Sequence, residues 1–326
     1  MVFKLIKRLL GNKTYEKLKP LRKNVLKHRN TFIRQFLKGF NILGLNVYPV
    51  NSYYSPLPVL RHLEKNKHRW ARPSALAGVN FDIEKFKSLF VHLQQYIPEY
   101  TYLLPYKEAT QIGFGPGYTY VDSITSYTMI RDIKPNIYFE IGSGLSTYYA
   151  SLALNKNKVV DQKSSRIICV EPYPYQKLKD IDNITLYQQQ VQDVSVDQFN
   201  VLEENDILFI DSTHVLRIDS DVAYLYLEVL PQLKKGVYIH IHDIAFPFNI
   251  PYPYDYWILK RDVGMYWTEA MLLQALLCHS DTFEIVLSTP LIRHYDEPFL
   301  RKNIPDYKGI EEDPNAFSSI WLKKIK

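Results

Sequence analysis

Short apolar runs in the second half of the chain predict the strands of a buried sheet. A strand covered on both faces is apolar at consecutive positions, whereas a half-exposed strand alternates apolar and polar residues. The first five runs alternate with helical stretches, which favours parallel strands. The last two lack a long helix between them, which favours an antiparallel closing pair. The predicted strands span residues 137–141, 166–170, 184–190, 206–210, 237–242, 282–288 and 317–323.

Apolar residues at helical spacing predict further elements. Residues 81–97 repeat large apolar side chains at near-helical spacing, and Pro98 should end that helix because proline lacks a donor N–H. Helices are also predicted over 123–132 and 266–279. Residues 113–118 hold three glycines and should form a loop.

The first predicted strand runs into a glycine turn and then a helix. Gly142 and Gly144 flank Ser143, and Ser146 follows where the helix should begin. Glycine permits positive φ and close backbone approach, so the turn should present free N–H groups at the carboxyl end of the strand. The acidic Glu140 lies just before the first glycine. This pattern is typical of a nucleotide pocket, although a turn without a ligand has the same pattern.

The second predicted strand leads into an acidic residue, Glu171. A carboxylate there can accept hydrogen bonds from both hydroxyls of a ribose; a surface acid at a strand end is the alternative. From Gly142 to Thr147 the turn reads Gly-x-Gly-x-x-Thr, so the third glycine of a dinucleotide fingerprint is missing. A nicotinamide-dependent dehydrogenase is therefore disfavoured.

Residues 140–146 and 170–172 together resemble those of class I S-adenosylmethionine-dependent methyltransferases, and more narrowly the small-molecule group known as family 24. The resemblance implies an α/β fold with a Rossmann-like, seven-stranded, mostly parallel sheet. The helical pattern before that sheet predicts an N-terminal helical cap region. The resemblance also implies S-adenosylmethionine as the cofactor, with a polar contact to the adenine after the third strand; a helix cap is the alternative there. The candidate cofactor-binding residues are Glu140, Gly142, Ser143, Gly144, Ser146, Glu171, Asp193 and Asp211.

Acidic and histidine residues follow the fourth and fifth predicted strands. Asp211 lies where the resembling family has an acid near the methionine end of the cofactor or a metal. His214 could take the proton of an acceptor hydroxyl because an ordinary histidine pKa lies near neutrality; a loop histidine bonded to the backbone is the alternative. The candidate catalytic residues are His214, His242 and Asp243.

A divalent metal site is a further prediction at these strand ends, with Asp211, His242 and Asp243 as ligands. The resemblance implies oxygen ligands here, so the histidine disfavours magnesium and leaves manganese, iron or zinc open. The alternative enzyme class is a metal-dependent hydrolase built on His240, His242 and Asp243.

An aromatic segment follows the fifth strand. Residues 246–267 are rich in Pro, Tyr and Trp, as in long loops that form an acceptor pocket; an ordered surface loop is the alternative. Family likeness and these aromatic residues favour a hydroxylated small molecule or glycan as the acceptor. Asp122 is predicted to contact substrate, and capping of a helix is the alternative role for it. Glu269 lies at the start of a predicted helix, where its negative charge suits the helix dipole. The candidate substrate-binding residues are Tyr118, Asp122, Tyr254 and Trp257.

Positive charge is concentrated at the N-terminus. Residues 1–30 carry ten Lys or Arg against one acid, Glu16, in a chain whose total is +6. The remaining body is slightly acidic, which argues against nucleic acid as a partner. Residues 1–10 predict a basic amphipathic helix on an anionic bilayer; a solvated or docked helix is the alternative. Besides a methyltransferase and a metal-dependent hydrolase, the remaining hypothesis is therefore a non-catalytic, membrane-surface binding protein on a methyltransferase fold.

Cysteine content and targeting signals bear on the compartment. The two cysteines have no disulfide or zinc spacing, and no signal peptide is recognised. We therefore expect a cytoplasmic protein with peripheral contact to the inner membrane face through residues 1–30. The expected domains are a basic N-terminal helical segment over 1–45, a helical cap or lid over 46–133, and an S-adenosylmethionine-dependent methyltransferase domain over 134–326.

Overall fold

The computed structural model describes residues 35–36, 39–40, 45, 47, 54–101, 103, 106–312 and 317–326. The chain divides into two compact units, Met1–Lys65 and Asn66–Lys326. The predicted helix over residues 1–10 and the basic segment lie outside the described residues. The three domains, the cytoplasmic location and the membrane contact stay predictions. Within the described ranges, no helix combines the length and apolar character needed to cross a membrane.

The larger unit contains one seven-stranded sheet. Its strands are β1 (Ile137–Ile141), β2 (Arg166–Val170), β3 (Ile184–Tyr187), β4 (Ile207–Ile210), β5 (Tyr238–Ile241), β6 (Phe283–Ser288) and β7 (Ile320–Lys324). Their order is β3-β2-β1-β4-β5-β7-β6. The first five are parallel, and β7 runs antiparallel to β5 and β6. The predicted α/β fold with a Rossmann-like, mostly parallel sheet is confirmed.

β1 lies between β2 and β4, at the point where the strand order reverses. Every side chain of β1 and of β4 is buried. Because both faces of these strands are covered, their sequences are apolar runs without alternation, and Glu140 is the one charged exception in β1. The carboxyl ends of β1, β2 and β4 meet at one edge of the sheet, which is where open α/β sheets form ligand crevices.

Helices precede the sheet and connect its strands. They are α1 (Leu60–Lys65), α2 (Lys67–Trp70), α3 (Ile83–Leu93), α4 (Ile97–Thr101), α5 (Tyr106–Ala109), α6 (Tyr120–Ile133), α7 (Leu145–Asp161), α8 (Asp221–Tyr224), α9 (Glu269–Leu277) and α10 (Thr289–Asn303). Two π-helical turns span Leu225–Val229 and Asp255–Lys260. α6 begins earlier than the predicted residue 123 because the Thr119 side chain caps it, accepting from the Asp122 N–H at 3.1 Å.

The predicted helix over 81–97 is divided in the structure. Asp82 caps α3 by accepting from the Glu84 N–H at 2.9 Å, and α3 ends at Leu93. Pro98 lies in the first turn of α4, so the prediction that it ends a helix is wrong. Proline is tolerated there because N–H groups of a first turn have no partner within the helix.

A helix connects the last two strands. α10 is 15 residues long, so the prediction that no long helix separates these strands is wrong. Ser288 caps α10 by accepting from the Leu291 N–H at 3.4 Å. The backbone leaves helical geometry at Asp296, and Pro298 follows, so α10 is two pieces across a kink. These breaks interrupt the apolar periodicity by which a helix is recognised in sequence.

Candidate active site

The glycine turn after β1 packs against the end of β4. Gly142 has a φ of +78°, and a Cβ atom there would overlap the carbonyl oxygen of Asp211. The Gly142 N–H donates to the carbonyl of Val170, at the end of β2, at 3.0 Å. Glycine at this position therefore allows three strand ends to meet.

The second glycine of the turn allows another loop to approach. A Cβ atom on Gly144 would lie 2.8 Å from the carbonyl oxygen of Phe114. Phe114 belongs to the segment 113–118, which is free of helix and strand, as predicted. The lack of a side chain at Gly144 therefore lets this glycine-rich loop cover the start of α7.

A cavity of about 660 Å³ opens at the carboxyl ends of β1, β2 and β4. The Glu171 carboxylate, on its wall, accepts from the Tyr173 N–H at 2.8 Å and from the Ser143 N–H at 3.3 Å. These bonds orient the carboxylate, and its remaining lone pairs are able to accept from a hydroxylated ligand. The lining includes Gly142, Glu171, Pro172, Gln192, Asp211 and Ser212.

The other candidate cofactor residues lie outside this lining. Asp193 is exposed, and its neighbour Gln192 lines the cavity instead. The side chain of Gln192 is held in place by donating to the carbonyl of Asp219 at 3.0 Å. The candidates that do not line the cavity are Glu140, Ser143, Gly144, Ser146 and Asp193.

Glu140 is fully buried in β1, just before the glycine turn. Its carboxylate accepts a hydrogen bond from the Ser146 hydroxyl. Burial raises the pKa of Glu140 to about 8, against the opposing effect of hydrogen bonds from Ser146 and Thr147. Glu140 is therefore mostly protonated at neutral pH, and its contacts connect the end of β1 to the start of α7.

Three side chains from the ends of β4 and β5 meet in one cluster. The Nε2 atom of His214 lies 3.2 Å from Oδ1 of Asp211 and 3.4 Å from Oδ2 of Asp243. Each of the three side chains offers one atom able to bind a metal, and those atoms all lie within 4.8 Å of one another. His214 therefore takes the position that the sequence prediction gave to His242.

A fourth residue, Glu269, orients His214. Its Oε2 atom lies 2.7 Å from Nδ1 of His214 and accepts from the Ser212 hydroxyl at 2.9 Å. The bond assigns a proton to Nδ1 and directs Nε2 toward the two aspartates. Glu269 is buried at the start of α9. No local sequence pattern predicts this contact, because the two residues are 55 positions apart.

The surroundings of His214 favour its charged form. Burial opposes the charge, but hydrogen bonds to Asp211 and Glu269, with the charge of Asp243, outweigh it and raise the pKa of His214 to about 10. At neutral pH the ring is an imidazolium, so the near-neutral pKa assumed from sequence does not hold here. Burial also raises the pKa of Asp243, although the charges of His242 and His214 oppose that shift. A carboxylate with a raised pKa is a stronger base.

Two residues of the cluster have backbone conformations that are unusual outside glycine. His214 has a φ of +60° and Asp243 a φ of +56°. Such values cost free energy and persist where the surrounding structure imposes them, commonly at functional sites. Here the carbonyl of His214 accepts from the N–H groups of Thr268 and Glu269, at 2.8 and 3.1 Å, which ties the loop to α9.

His242 lies behind the cluster, paired with Asp122. Its Nε2 atom is 3.2 Å from Oδ2 of Asp122, and both side chains are buried. Asp122 also accepts from the hydroxyls of Thr119 and Ser318, each at 2.7 Å. The Nδ1 atom of His242 lies 3.6 Å from Oδ1 of Asp211, beyond a good hydrogen bond. The structure thus places Asp122, predicted to contact substrate, in the core against His242.

His240 is separate from the cluster. Its ring stacks on Trp321, with 4.0 Å between the ring centroids and a 12° interplanar angle. Among the described residues its two ring nitrogens have no hydrogen-bond partner, and burial lowers its pKa to about 3. The hydrolase alternative, which needed His240 as a metal ligand, therefore finds no support.

An aromatic cavity of about 380 Å³ lies on the other side of the cluster. Asp243 is part of its wall, and the ring of Trp267 lies 4.6 Å from that of His214. Tyr118 and Trp257, which the sequence predicted to contact substrate, are part of its lining. Tyr254 is not part of this lining; its ring contacts Trp70, at 5.7 Å, and Lys67, at 5.1 Å.

The cluster and the lining of the larger cavity lie within a segment that matches a known family, whereas the aromatic cavity is lined almost entirely by residues outside it. Residues 139–244 match the family 24 model described as a methyltransferase domain. The match runs from within β1 to just beyond β5, so it contains the glycine turn and the Asp211, His214 and Asp243 cluster. The chain is also similar to an uncharacterized protein of Archaeoglobus fulgidus. The two are 29% identical over 175 residues, which cover 49% of this chain and 76% of the relative.

Solved structures similar to this chain include two with low sequence identity. One is an O-methyltransferase from Bacillus cereus in complex with SAH, at 14% identity and a TM-score of 0.42; the match covers 75% of this chain and all of the other. Another is the plantazolicin methyltransferase BamL, at 12% identity and a TM-score of 0.36, covering 75% of this chain and 98% of that one.

The family match covers the parallel part of the sheet, from within β1 to the end of β5. The resemblance implied a Rossmann-like, seven-stranded, mostly parallel sheet, and the observed sheet has that form, with the glycine turn directly after β1. The segment 139–244 therefore matches the methyltransferase domain of the family that the sequence resembles.

Proposed function

We propose that this protein transfers the methyl group of S-adenosylmethionine to a hydroxyl oxygen of a small molecule. One observation carries the proposal. The Asp211, His214 and Asp243 cluster lies between two cavities, because Asp211 lines the larger one and Asp243 the aromatic one. A methyl donor in the first and an acceptor in the second would meet at the cluster.

The larger cavity suits the cofactor. We assign the ribose hydroxyls to Glu171, whose carboxylate is already oriented by two backbone N–H groups. The backbone at Gly142 would approach the amino acid end of the cofactor, and Gln192 would contact the adenine. Each assignment places a hydrogen-bonding group of this wall against a polar part of the ligand.

The chemical step is an in-line displacement. The acceptor oxygen forms a bond to the methyl carbon while the sulfur–methyl bond breaks and leaves its electron pair on sulfur. The acceptor proton passes to Asp243, whose raised pKa suits a base. His214, as an imidazolium, and the orienting Glu269 would hold the acceptor oxygen in place, so that positioning lowers much of the barrier.

The cluster also fits a divalent metal ion. Asp211, His214 and Asp243 supply two carboxylates and one imidazole, and His214 bonds to Glu269 as metal-bound histidines bond to an outer carboxylate. The nitrogen ligand favours manganese, iron or zinc over magnesium. Such an ion would supply a Lewis acid for the acceptor oxygen, and His214 would first have to release its Nε2 proton.

Calorimetric titration of the metal-free, full-length protein with S-adenosylmethionine, and with S-adenosylhomocysteine, tests the cofactor. We expect micromolar binding of both. A transfer assay on the His214→Ala variant then tests the cluster, because this change should reduce turnover and leave cofactor binding intact. Absence of binding to either compound, with and without added manganese, would contradict the proposal. Unchanged turnover would remove His214 from the mechanism.

A further inference from the structure

The wall of the aromatic cavity consists mainly of large, flat or soft side chains. Trp257 and Trp267 lie with ring centroids 6.1 Å apart and ring planes at 27°. Tyr252 and Met265 belong to the same wall. Flat faces of this kind bind planar rings by stacking, and a thioether adapts to ring edges.

One cation lines the same cavity. The guanidinium carbon of Arg261 lies 5.0 Å from the centroid of the Trp257 ring, a cation–π distance that holds the side chain at the wall. Its Nη1 atom donates to the sulfur of Met265 at 3.3 Å. Within the part of the chain that the structure describes, no carboxylate pairs with Arg261. Its charge and most of its fork of N–H donors are therefore available to an anion.

The cavity offers few hydrogen bonds for a sugar. Its wall includes the hydroxyls of Thr119 and Ser318, and both donate to the buried carboxylate of Asp122. The other neutral side-chain donors of the wall belong to aromatic residues, such as the Tyr252 hydroxyl and the indole N–H groups of Trp257 and Trp267. A polyol acceptor would leave many of its own hydroxyls without partners in such a cavity, which costs binding free energy. The two charged side chains of the wall, Asp243 and Arg261, suit an acceptor with one hydroxyl and one anionic group.

We infer that the acceptor is a hydroxylated aromatic acid. This inference rests on the proposed function and narrows its acceptor class. The ring packs on Trp267, whose contact with His214 brings the phenol oxygen to Asp243 for methylation. The carboxylate, or another anionic substituent, binds the guanidinium of Arg261. A volume of about 380 Å³ suits a small molecule of one or two rings and leaves no room for a folded partner.

Titration of the full-length protein, saturated with S-adenosylhomocysteine, tests the inference. The probes are 4-hydroxybenzoate, phenol as its neutral match, and myo-inositol as a polyol. We expect 4-hydroxybenzoate to bind at least about tenfold more tightly than phenol, because a charge-assisted pair with Arg261 is added. Inositol should bind most weakly. The Arg261→Gln variant should lose the advantage of the acid and bind phenol within about twofold of the unaltered protein.

Two further variants control for charge and folding. Arg166→Gln removes an equal charge from an exposed position at the start of β2 and should change none of the three affinities. Arg261→Lys keeps the charge without the fork and should retain part of the preference. The inference is overturned if the loaded protein binds phenol or inositol as well as the acid, binds none of the probes, or loses affinity equally in Arg166→Gln. Failure to bind S-adenosylhomocysteine would instead overturn the proposed function.

Discussion

The two sides of the sheet edge are built in different ways. On the cofactor side, Gly142 and Glu171 follow the ends of adjacent parallel strands, and short sequence motifs predict both. On the acceptor side, His214 depends on Glu269, and His242 depends on Asp122, 120 residues away in the chain. The cofactor side can therefore be predicted from local sequence, whereas the residues of the acceptor side come together only when the chain is folded. Separate variants should therefore affect the two sides separately.

Asp243→Asn should give the largest difference between the two sides, a loss of turnover without a loss of cofactor affinity. This change removes the proposed base while keeping the shape of the side chain, so turnover should fall about 100-fold or more. The affinity for S-adenosylhomocysteine, measured by titration, should change by less than about twofold because Asp243 lines the acceptor cavity. A comparable loss of cofactor affinity would show that the two sides are not independent.

The stability of the folded protein should depend on pH through Glu140. A pKa of about 8 in the folded protein, above the ordinary value of 4.5, means that the folded state binds more protons between these values. Stability should therefore fall as pH rises from about 5 to 8. In Glu140→Gln this loss should disappear, a difference on the order of 2–4 kcal/mol in unfolding free energy. Denaturant unfolding of both proteins at pH 5.5 and 8.5 measures it; equal slopes with pH would contradict the assignment.

Glu269→Gln should have the next largest effect. The amide keeps a hydrogen-bond acceptor for His214 but removes the charge, so turnover should fall roughly tenfold. Steady-state assays measure it, with Glu228→Gln, at an exposed position, as the matched control. If both variants retained full turnover, Glu269 would have no role in positioning His214.

Glu171→Ala should weaken the cofactor side alone. Loss of a charged acceptor for two hydroxyls should raise the dissociation constant of S-adenosylmethionine about tenfold. Turnover at saturating cofactor should stay within about threefold, because Glu171 is not part of the cluster. An unchanged dissociation constant in calorimetry would place the ribose elsewhere.

The smallest effect, on cofactor affinity, is expected at the neighbouring residues Gln192 and Asp193. Gln192→Ala should weaken cofactor binding a few fold, since its side chain lines the cavity, whereas Asp193→Ala should change it by less than about twofold. The reverse result would favour the position predicted from the resemblance, in which Asp193 makes the adenine contact.

Much of the fold could be predicted because buried strands and amphipathic helices have periodic sequences. All seven strands were expected, and the bounds of β1 and β2 agree with the prediction. The helix between β6 and β7 was missed because Asp296 and Pro298 break its pattern. Part of the site followed from motifs, since Glu171 and Asp211 line the cofactor cavity.

Sequence alone determined that this protein has seven strands, roughly where they lie and where the glycine turn is, because burial on two faces and tight turns constrain neighbouring positions. Tertiary structure decided which histidine joins the two aspartates. His214 and His242 both follow or end strands at the same sheet edge, but Glu269 directs one toward the cluster and Asp122 holds the other in the core. Those carboxylates come from helices that are distant in sequence. Which side chains meet across such distances depends on how the helices pack on the sheet, and no local sequence pattern specifies that packing.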